Sequence, residues 1–144
     1  MPTTVYVVRH AEKEHGQGAR EVNLSQAGHR RAANLPQALD LPRLTAIYAT
    51  NRIRTQQTAA AVAEATGLPI QTFAPNDTAS VVEAVERHTG EAVLVVGHAD
   101  TVPMILEELG VRVRVSLTLA DYGDVFEVIL DNGRAMLRRG RFEP

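Results

Sequence analysis

Apolar residues recur along this chain in short β-branched runs separated by stripes of helical period. Thr4 to Val8 and Ala92 to Val96 are nearly continuous runs (Val5, Val7, Val8; Val93, Val95, Val96), the pattern of strands buried on both faces. Each run stops at a polar group and a histidine, so that Val7-Val8-Arg9-His10-Ala11 and Val95-Val96-Gly97-His98-Ala99 nearly repeat each other. If the two strands are parallel neighbours, both imidazoles emerge at the carboxyl ends of the sheet, where open α/β folds place their ligands.

The intervening segments alternate in period. Ala11 to Val22 is mostly polar and glycine-bearing and reads as a loop leaving the first strand beside the site. Ser25 is suited to cap a helix to about Leu39, with Ala27, Ala32, Leu35 and Leu39 on its apolar stripe and Gly28 and Pro36 as irregularities. Leu44 to Ala49 reads as a strand. Thr50 or Asn51 can cap the alanine-rich helix that follows to about Thr66, ended by Gly67 and Pro69. Ile70 to Phe73 fits a short strand and Ala79 to His88 a short helix, with Gly90 before the run at Ala92. After His98, Asp100 or Thr101 can cap a helix to Leu109, with Pro103 in its first turn and Gly110 beyond its end. Val111 to Thr118 fits either loop or strand. Val125 to Leu130, the turn Asp131-Asn132-Gly133 and Ala135 to Arg139 predict a β-hairpin. Together these elements predict an α/β fold: a three-layer α/β/α sandwich on a mostly parallel sheet, with an antiparallel C-terminal hairpin.

Composition narrows the picture. With 144 residues, 44% of them hydrophobic, the chain suits one domain over residues 1–144 with room for a sizeable core. The absence of cysteine excludes disulfides, thiolate metal sites and a cysteine nucleophile. A formal net charge of -2 gives no sign of a binder of nucleic acid or membrane surface. The N-terminal apolar run stops at Arg9, too short for a signal peptide, and no run reaches the ~18 apolar residues of a membrane span. The expectation is a soluble, cytoplasmic protein. Arginine supplies nearly all the positive charge, Lys13 being the only lysine, so only individually placed arginines carry information.

Three positions could carry chemistry: Arg9-His10, Arg54 in the run Tyr48 to Ala59, and His98. Each alone has an ordinary reading as a strand-end pair, an exposed helix arginine and a structural histidine. Together they resemble something specific. Arg9-His10 after a valine-rich strand, Tyr48-x-x-x-x-x-Arg54-x-x-Gln57-Thr58-Ala59, and Val95-Val96-Gly97-His98 resemble the signature of the histidine phosphatase superfamily, which includes the phosphoglycerate mutases. Asn23-Leu24-Ser25-Gln26-Ala27-Gly28 is similar to the Leu-Thr/Ser-x-x-Gly element opening the first helix in that superfamily. Two departures are visible: Ala11 stands where Arg-His-Gly is usual, as in the short, phosphohistidine-phosphatase-like members, and Thr50-Asn51 replaces Ser-Pro or Ser-Asp.

The resemblance implies a phosphoglycerate mutase-like fold and a metal-independent phosphatase without cofactor. In it, His10 would be the nucleophile, and Arg9, Arg54, His98 and the backbone N–H groups from Ala99 onward the phosphate pocket. Elementary chemistry agrees with that carry-over. Guanidinium groups and a helix N-terminus supply charge-assisted donors to phosphate oxygens. Attack by His10 requires a neutral imidazole, which neighbouring arginines favour, and a lone pair on one ring nitrogen requires the proton on the other, held by a backbone carbonyl. The implied reaction is two in-line displacements through a phosphohistidine enzyme intermediate.

The leaving group also needs a proton. The superfamily draws its acid from the segment before the second histidine strand, which here holds Asp77, Glu83, Glu86 and Glu91. Asp77 is the first choice, although it also suits a helix cap, as Ser80-x-x-Glu83 suits a capping box. Asp100 is a further candidate with the same second reading. An alkoxide needs general-acid help of about 10²- to 10⁴-fold, whereas a phosphorylated imidazole needs less. The short stretch from Pro69 to Ala92 leaves no room for an enclosing lid, which suits a phosphorylated small molecule or a phosphoprotein as substrate. A phosphoglycerate mutase-type phosphotransferase and a non-catalytic phospho-ligand-binding protein are the alternatives. His10, Glu12, His15 and His29 lack the spacing of a His-Glu-x-x-His metal motif, so no metal is expected.

Overall fold

The structure, a computed structural model, describes residues 1–15 and 21–144, so the loop predicted from Ala11 to Val22 lies partly outside the described residues. Six strands, β1 (Thr3–Arg9), β2 (Leu44–Thr50), β3 (Ile70–Phe73), β4 (Ala92–Gly97), β5 (Asp124–Asp131) and β6 (Arg134–Arg141), form one sheet of order β3-β2-β4-β1-β5-β6. The two valine-rich runs are its central pair. β1 and β4 are parallel, with Val5 opposite Val93 and Arg9 opposite Gly97, and β2 and β3 continue the parallel set. β5 and β6 are antiparallel. Their turn places Asn132 and Gly133 at φ 51 and 76, the left-handed pair that a two-residue hairpin of right-handed twist demands.

Helices α1 (Gln26–Ala33) and α2 (Ile53–Thr66) cover one face, α3 (Thr78–Glu86) and α4 (Thr101–Glu108) the other. The period of two along each strand divides its side chains between the layers. Val5, Val7, Val93 and Val95 pack toward Val81, Val85, Ile105 and Leu106, while Val8, Leu94 and Val96 pack toward Ala59 and Val62. Each fully buried side chain of this kind stabilises the fold by roughly 1.5–3 kcal/mol relative to exposure. The predicted three-layer sandwich with its antiparallel hairpin is the observed fold. No helix among the described residues is long and apolar enough to cross a membrane.

Two local readings change, and one left open resolves to loop. The helix from Ser25 is only α1; Ser25 caps it through Gly28 N–H at 3.1 Å, and beyond Asn34 the chain tightens into a 3₁₀ turn, Leu35–Ala38, because Pro36 cannot continue the ladder. Neither Thr50 nor Asn51 caps α2: Arg52 holds the cap position without a side-chain bond, and Ile53 N–H donates to Glu21 Oε2 at 3.0 Å. Val111 to Thr118 joins no ladder, because β5 occupies the free edge of β1 and β6 the edge beyond.

Gly28 explains its own motif. A Cβ there would stand 1.9 Å from the backbone carbonyl oxygen of Glu12, because α1 lies against the chain leaving β1. That approach is fixed by Ser25 N–H donating to Glu12 O at 2.9 Å and by Arg31, whose Nε and Nη2 donate to the two oxygens of the Glu12 carboxylate at 2.8 and 3.0 Å. Gly28→Ala is therefore expected to lower stability by about 1–3 kcal/mol, the cost of overpacking, read as a fall in urea midpoint at constant m-value.

Candidate active site

The carboxyl ends of β1 and β4 carry the two histidines side by side. His10 N–H donates to Gly97 O at 3.0 Å, extending the parallel ladder by one rung, and the His10 and His98 rings stand edge to face with centroids 5.4 Å apart. Both are buried. Nδ1 of His10 lies 2.7 Å from the carbonyl oxygen of Ala11, which can only accept, so Nδ1 carries the hydrogen and Nε2 keeps its lone pair. That carbonyl is itself held in place: Ala11 N–H donates to Thr58 Oγ1 at 2.9 Å, and Thr58 donates to Arg54 O at 2.8 Å. Gln57 accepts from Leu24 N–H at 2.8 Å and donates to Asn23 at 3.0 Å. The Gln57-Thr58 pair thus ties α2 to both the first histidine and the entry to α1.

Burial is the main reason that the His10 imidazole is pushed down to about 3; the charges of His98, Arg9 and Arg54 add to it, against the Ala11 hydrogen bond. The arginines thus act as expected but rank behind desolvation. His98 is pushed down to about 4, again by burial first, then by Arg54, Arg52 and Arg9 against the opposing charge of Asp100. Both rings are neutral near pH 7.

A cavity of about 670 Å³ opens over the two rings. Arg9, Lys13, Arg52 and Arg54 line it, with Asp100 as the one carboxylate among its lining residues, so its field suits an anion. Ala99 lines it too, between His98 and the first turn of α4. A larger groove of about 1100 Å³ lies between α4 and β6, but its ionisable side chains are Glu107, Arg112, Arg114 and Arg134, which offer no histidine or other nucleophile. Chemistry, not size, selects the smaller cavity.

Arg9 is only partly turned to this cavity. Its Nη1 donates to the carbonyls of Thr118, Leu119 and Asp121 at 3.2, 3.2 and 2.6 Å, its Nη2 to Tyr122 Oη at 3.3 Å, and its guanidinium carbon sits 4.0 Å from the Tyr122 ring centroid. Nε is buried without a partner among the described residues. Arg9 therefore anchors the segment after α4.

The proposed acids separate clearly. Asp77 caps α3, with one carboxylate oxygen on Ser80 N–H at 3.2 Å and the other on Ser80 Oγ at 2.6 Å; Pro75 and Asn76, not Asp77, line the cavity. Asp77, the expected first-choice acid, is thus engaged in the cap through both oxygens and is not among the lining residues of the cavity. Glu83 and Glu86 are exposed on α3, and Glu91, bonded to His88 and Thr45 at 2.8 and 3.1 Å, lies just before β4, at the opposite end of that strand from His98. Asp100 alone of the five lines the cavity. Glu12 is bound to Arg31, and among the described residues no group of three or more His, Asp or Glu side chains is placed to hold a metal.

Sequence reasoning missed several participants. Thr50, Thr55 and Thr58 are completely buried hydroxyls around the two histidines, Lys13 and Arg52 complete the cationic wall, and Tyr122 holds the Arg9 guanidinium. A threonine at a strand end reads as a cap, and Tyr122 follows a stretch without periodicity.

The chain is an α/β protein with paired histidines at adjoining strand ends beneath a cavity lined mainly by cationic side chains. Residues 5–74, the part of the chain bearing Arg9, His10 and Arg54, match the family model of the histidine phosphatase superfamily (branch 1). His98 lies beyond the matched span, and the fold brings it in. No curated protein matches the chain in sequence. Among solved structures it is similar to YhfR of Bacillus stearothermophilus, at 21% identity and TM-score 0.74 over 94% of this chain and 95% of that one. It is also similar to the protein histidine phosphatase SixA complexed with tungstate, at 19% identity and TM-score 0.72 over 98% and 97%. A third is phosphoserine phosphatase of Entamoeba histolytica in complex with 3-phosphoglyceric acid, at 14% identity and TM-score 0.71 over 99% and 97%. At these identities the likeness is one of fold.

Proposed function

We propose that the protein is a phosphatase that cleaves a phosphomonoester or phosphohistidine, on a small molecule or a protein, through a phosphohistidine formed on His10. The observation that carries this reading is the fixed tautomer of His10, which leaves Nε2 with its lone pair on a ring beside His98 in a cavity lined by four cationic side chains. Nε2 attacks phosphorus in line; the P–N bond forms as the bond to the leaving group breaks, and its electron pair departs with the leaving group, which takes up a proton. Water then attacks phosphorus and gives a proton to the group that protonated the leaving group, while the P–N bond breaks and its pair returns to Nε2. The hydrogen stays on Nδ1 throughout, donated to Ala11 O, and that bond stabilises the positive charge that the ring carries while phosphorylated. Water reaches such a cavity readily, which favours hydrolysis over re-delivery to a second acceptor.

Asp100 is the carboxylate placed to serve an alkoxide leaving group. Asp100→Asn is expected to slow hydrolysis of an alkyl phosphate by about 10²-fold while slowing an aryl phosphate, whose leaving group needs little protonation, far less. Asp77→Ala should leave both rates unchanged and cost about 1 kcal/mol of stability through the lost cap. Parallel assays with glycerol phosphate, p-nitrophenyl phosphate and a phosphohistidine peptide check the pattern. Equal losses on all three substrates with Asp100→Asn, or a loss of turnover with Asp77→Ala, would remove the assignment of the acid. No phosphate release from any of them by the wild-type protein would leave a non-catalytic binder of phosphorylated ligands.

A further inference from the structure

A chain of buried hydroxyls runs away from His98 and has a direction. Nε2 of His98 lies 2.9 Å from Thr50 Oγ1, which lies 2.8 Å from Thr55 Oγ1, and Thr55 Oγ1 in turn lies 2.9 Å from the carbonyl oxygens of both Thr50 and Arg52. Thr50 and Thr55 are wholly inaccessible to solvent, so no water supplies or removes a hydrogen there. The chain ends on two groups that only accept. A threonine hydroxyl has one hydrogen. That of Thr55 is therefore given to a carbonyl, that of Thr50 is given to Thr55, and Thr50 is left with a lone pair toward His98. The contact is satisfied only if Nε2 of His98 carries a hydrogen. The opposite polarity would leave two carbonyl oxygens against an oxygen with no hydrogen between them, an unsatisfied buried contact.

We propose that Thr50 and Thr55 are positioning residues that hold neutral His98 as its Nε2–H tautomer, so that the nitrogen facing the cavity, Nδ1, is at rest a proton acceptor rather than a donor. This inference rests on the phosphatase reading only for its consequence in turnover. His98 Nδ1 has no partner among the described residues, while His98 N–H donates to Thr101 Oγ1 at 3.1 Å, so the ring is held from behind and by its own backbone. A phosphate dianion cannot bond to a bare lone pair. It is bound either as the monoanion, whose P–OH donates to Nδ1, or with uptake of one proton from solvent onto Nδ1; in both cases one proton rests between His98 and the phosphoryl oxygen. In the second case the resulting imidazolium keeps its Nε2–H on Thr50. The charged and titratable groups facing His98 are His10 and Arg9 from β1, Arg52 and Arg54 from the start of α2, and Asp100 from α4, with Lys13 at the cavity wall. Arg9, Arg52, Arg54 and Lys13 are cations that cannot accept a proton, so the groups that compete with His98 Nδ1 for it are His10 Nε2 and Asp100.

The test reads the tautomer directly. Histidine ¹⁵N spectra of the ligand-free wild-type protein at pH 7.5 should show His98 with a protonated Nε2 and an unprotonated Nδ1, the assignment made by loss of the signals in His98→Asn. Vanadate, a phosphate-shaped probe, should shift Nδ1 toward its protonated position, and calorimetry in two buffers of different ionisation enthalpy should show uptake of up to one proton when vanadate is added as the dianion. Thr50→Ser should keep the tautomer and the aryl phosphatase rate. Thr50→Val should mix the tautomers and lower kcat about 10- to 100-fold, the usual effect of removing a histidine's orienting partner, with a displaced acidic limb in its pH profile. An Nδ1–H tautomer in the wild type overturns the proposal whatever the enzyme turns over, as does a Thr50→Val protein with wild-type spectrum and pH profile. The wild-type spectrum decides the matter even if Thr50→Val does not fold, and absence of turnover in the wild type bears on the phosphatase reading alone.

Discussion

His10→Ala is expected to lower phosphate release from p-nitrophenyl phosphate by about 10³-fold or more, without unfolding the protein. Removal of an attacking nucleophile leaves only what binding and electrostatic stabilisation contribute. Every other element of the cavity, the guanidinium groups of Arg9 and Arg54, His98 and the turn into α4, stays in place, so vanadate should still bind. Stability should change little or rise: the imidazole is buried against charges that disfavour its ionisation, and its one polar bond, to Ala11 O, is local. The same substitution should abolish a covalent species that wild-type protein forms when quenched during turnover, stable in alkali and labile in acid as a phosphoramidate is. Unchanged turnover in a folded His10→Ala protein would refute the nucleophile assignment together with the reaction built on it.

How much of this was legible beforehand can be argued from the residues themselves. Val7-Val8-Arg9-His10 and Val95-Val96-Gly97-His98 announce two strands by an unbroken β-branched run, and their adjacency follows once the sheet is parallel, because both runs must be covered on both faces. Gly28 and Gln57-Thr58 entered the sequence reading as motif letters; the structure gives them work in a close helix approach and in fixing the Ala11 carbonyl. The failures share one cause. A short polar side chain at a strand or helix end can cap, or it can reach a neighbour far away in sequence, and local pattern does not distinguish the two. Asp77 caps when it was expected at the cavity, and Thr50 was expected to cap when it holds His98. Likewise the grip of Arg9 on Tyr122 spans 113 residues and ends in a segment whose sequence carries no period.

Stability should fall steeply as the pH drops below about 6.5, and the two site histidines are the reason. In the unfolded chain each titrates near 6.5, whereas in the folded protein His10 is held down to about 3 and His98 to about 4, burial being the first cause for both. Between those values the unfolded state binds more protons than the native state, so the unfolding free energy rises with pH: the contribution is complete above 6.5 and is lost as pH falls toward 4 and then 3. Each such histidine contributes a slope approaching about 1.4 kcal/mol per pH unit, and from pH 7 to pH 5 the pair removes about 4 kcal/mol. Urea unfolding at a series of pH values measures this directly, provided the m-value stays constant. His10→Asn, which removes one titrating ring, should halve the slope over that range and make the variant more stable than the wild type at pH 5 even if it is equal or weaker at pH 7. Vanadate bound at the native site should make the loss on acidification shallower, since a ligand that favours a proton on His98 raises that ring's folded value and offsets part of the acid sensitivity. A wild-type protein whose unfolding free energy is flat from pH 7 to pH 5 would mean that both rings ionise as freely when folded as when unfolded, and would contradict the buried, neutral pair on which in-line attack by His10 depends.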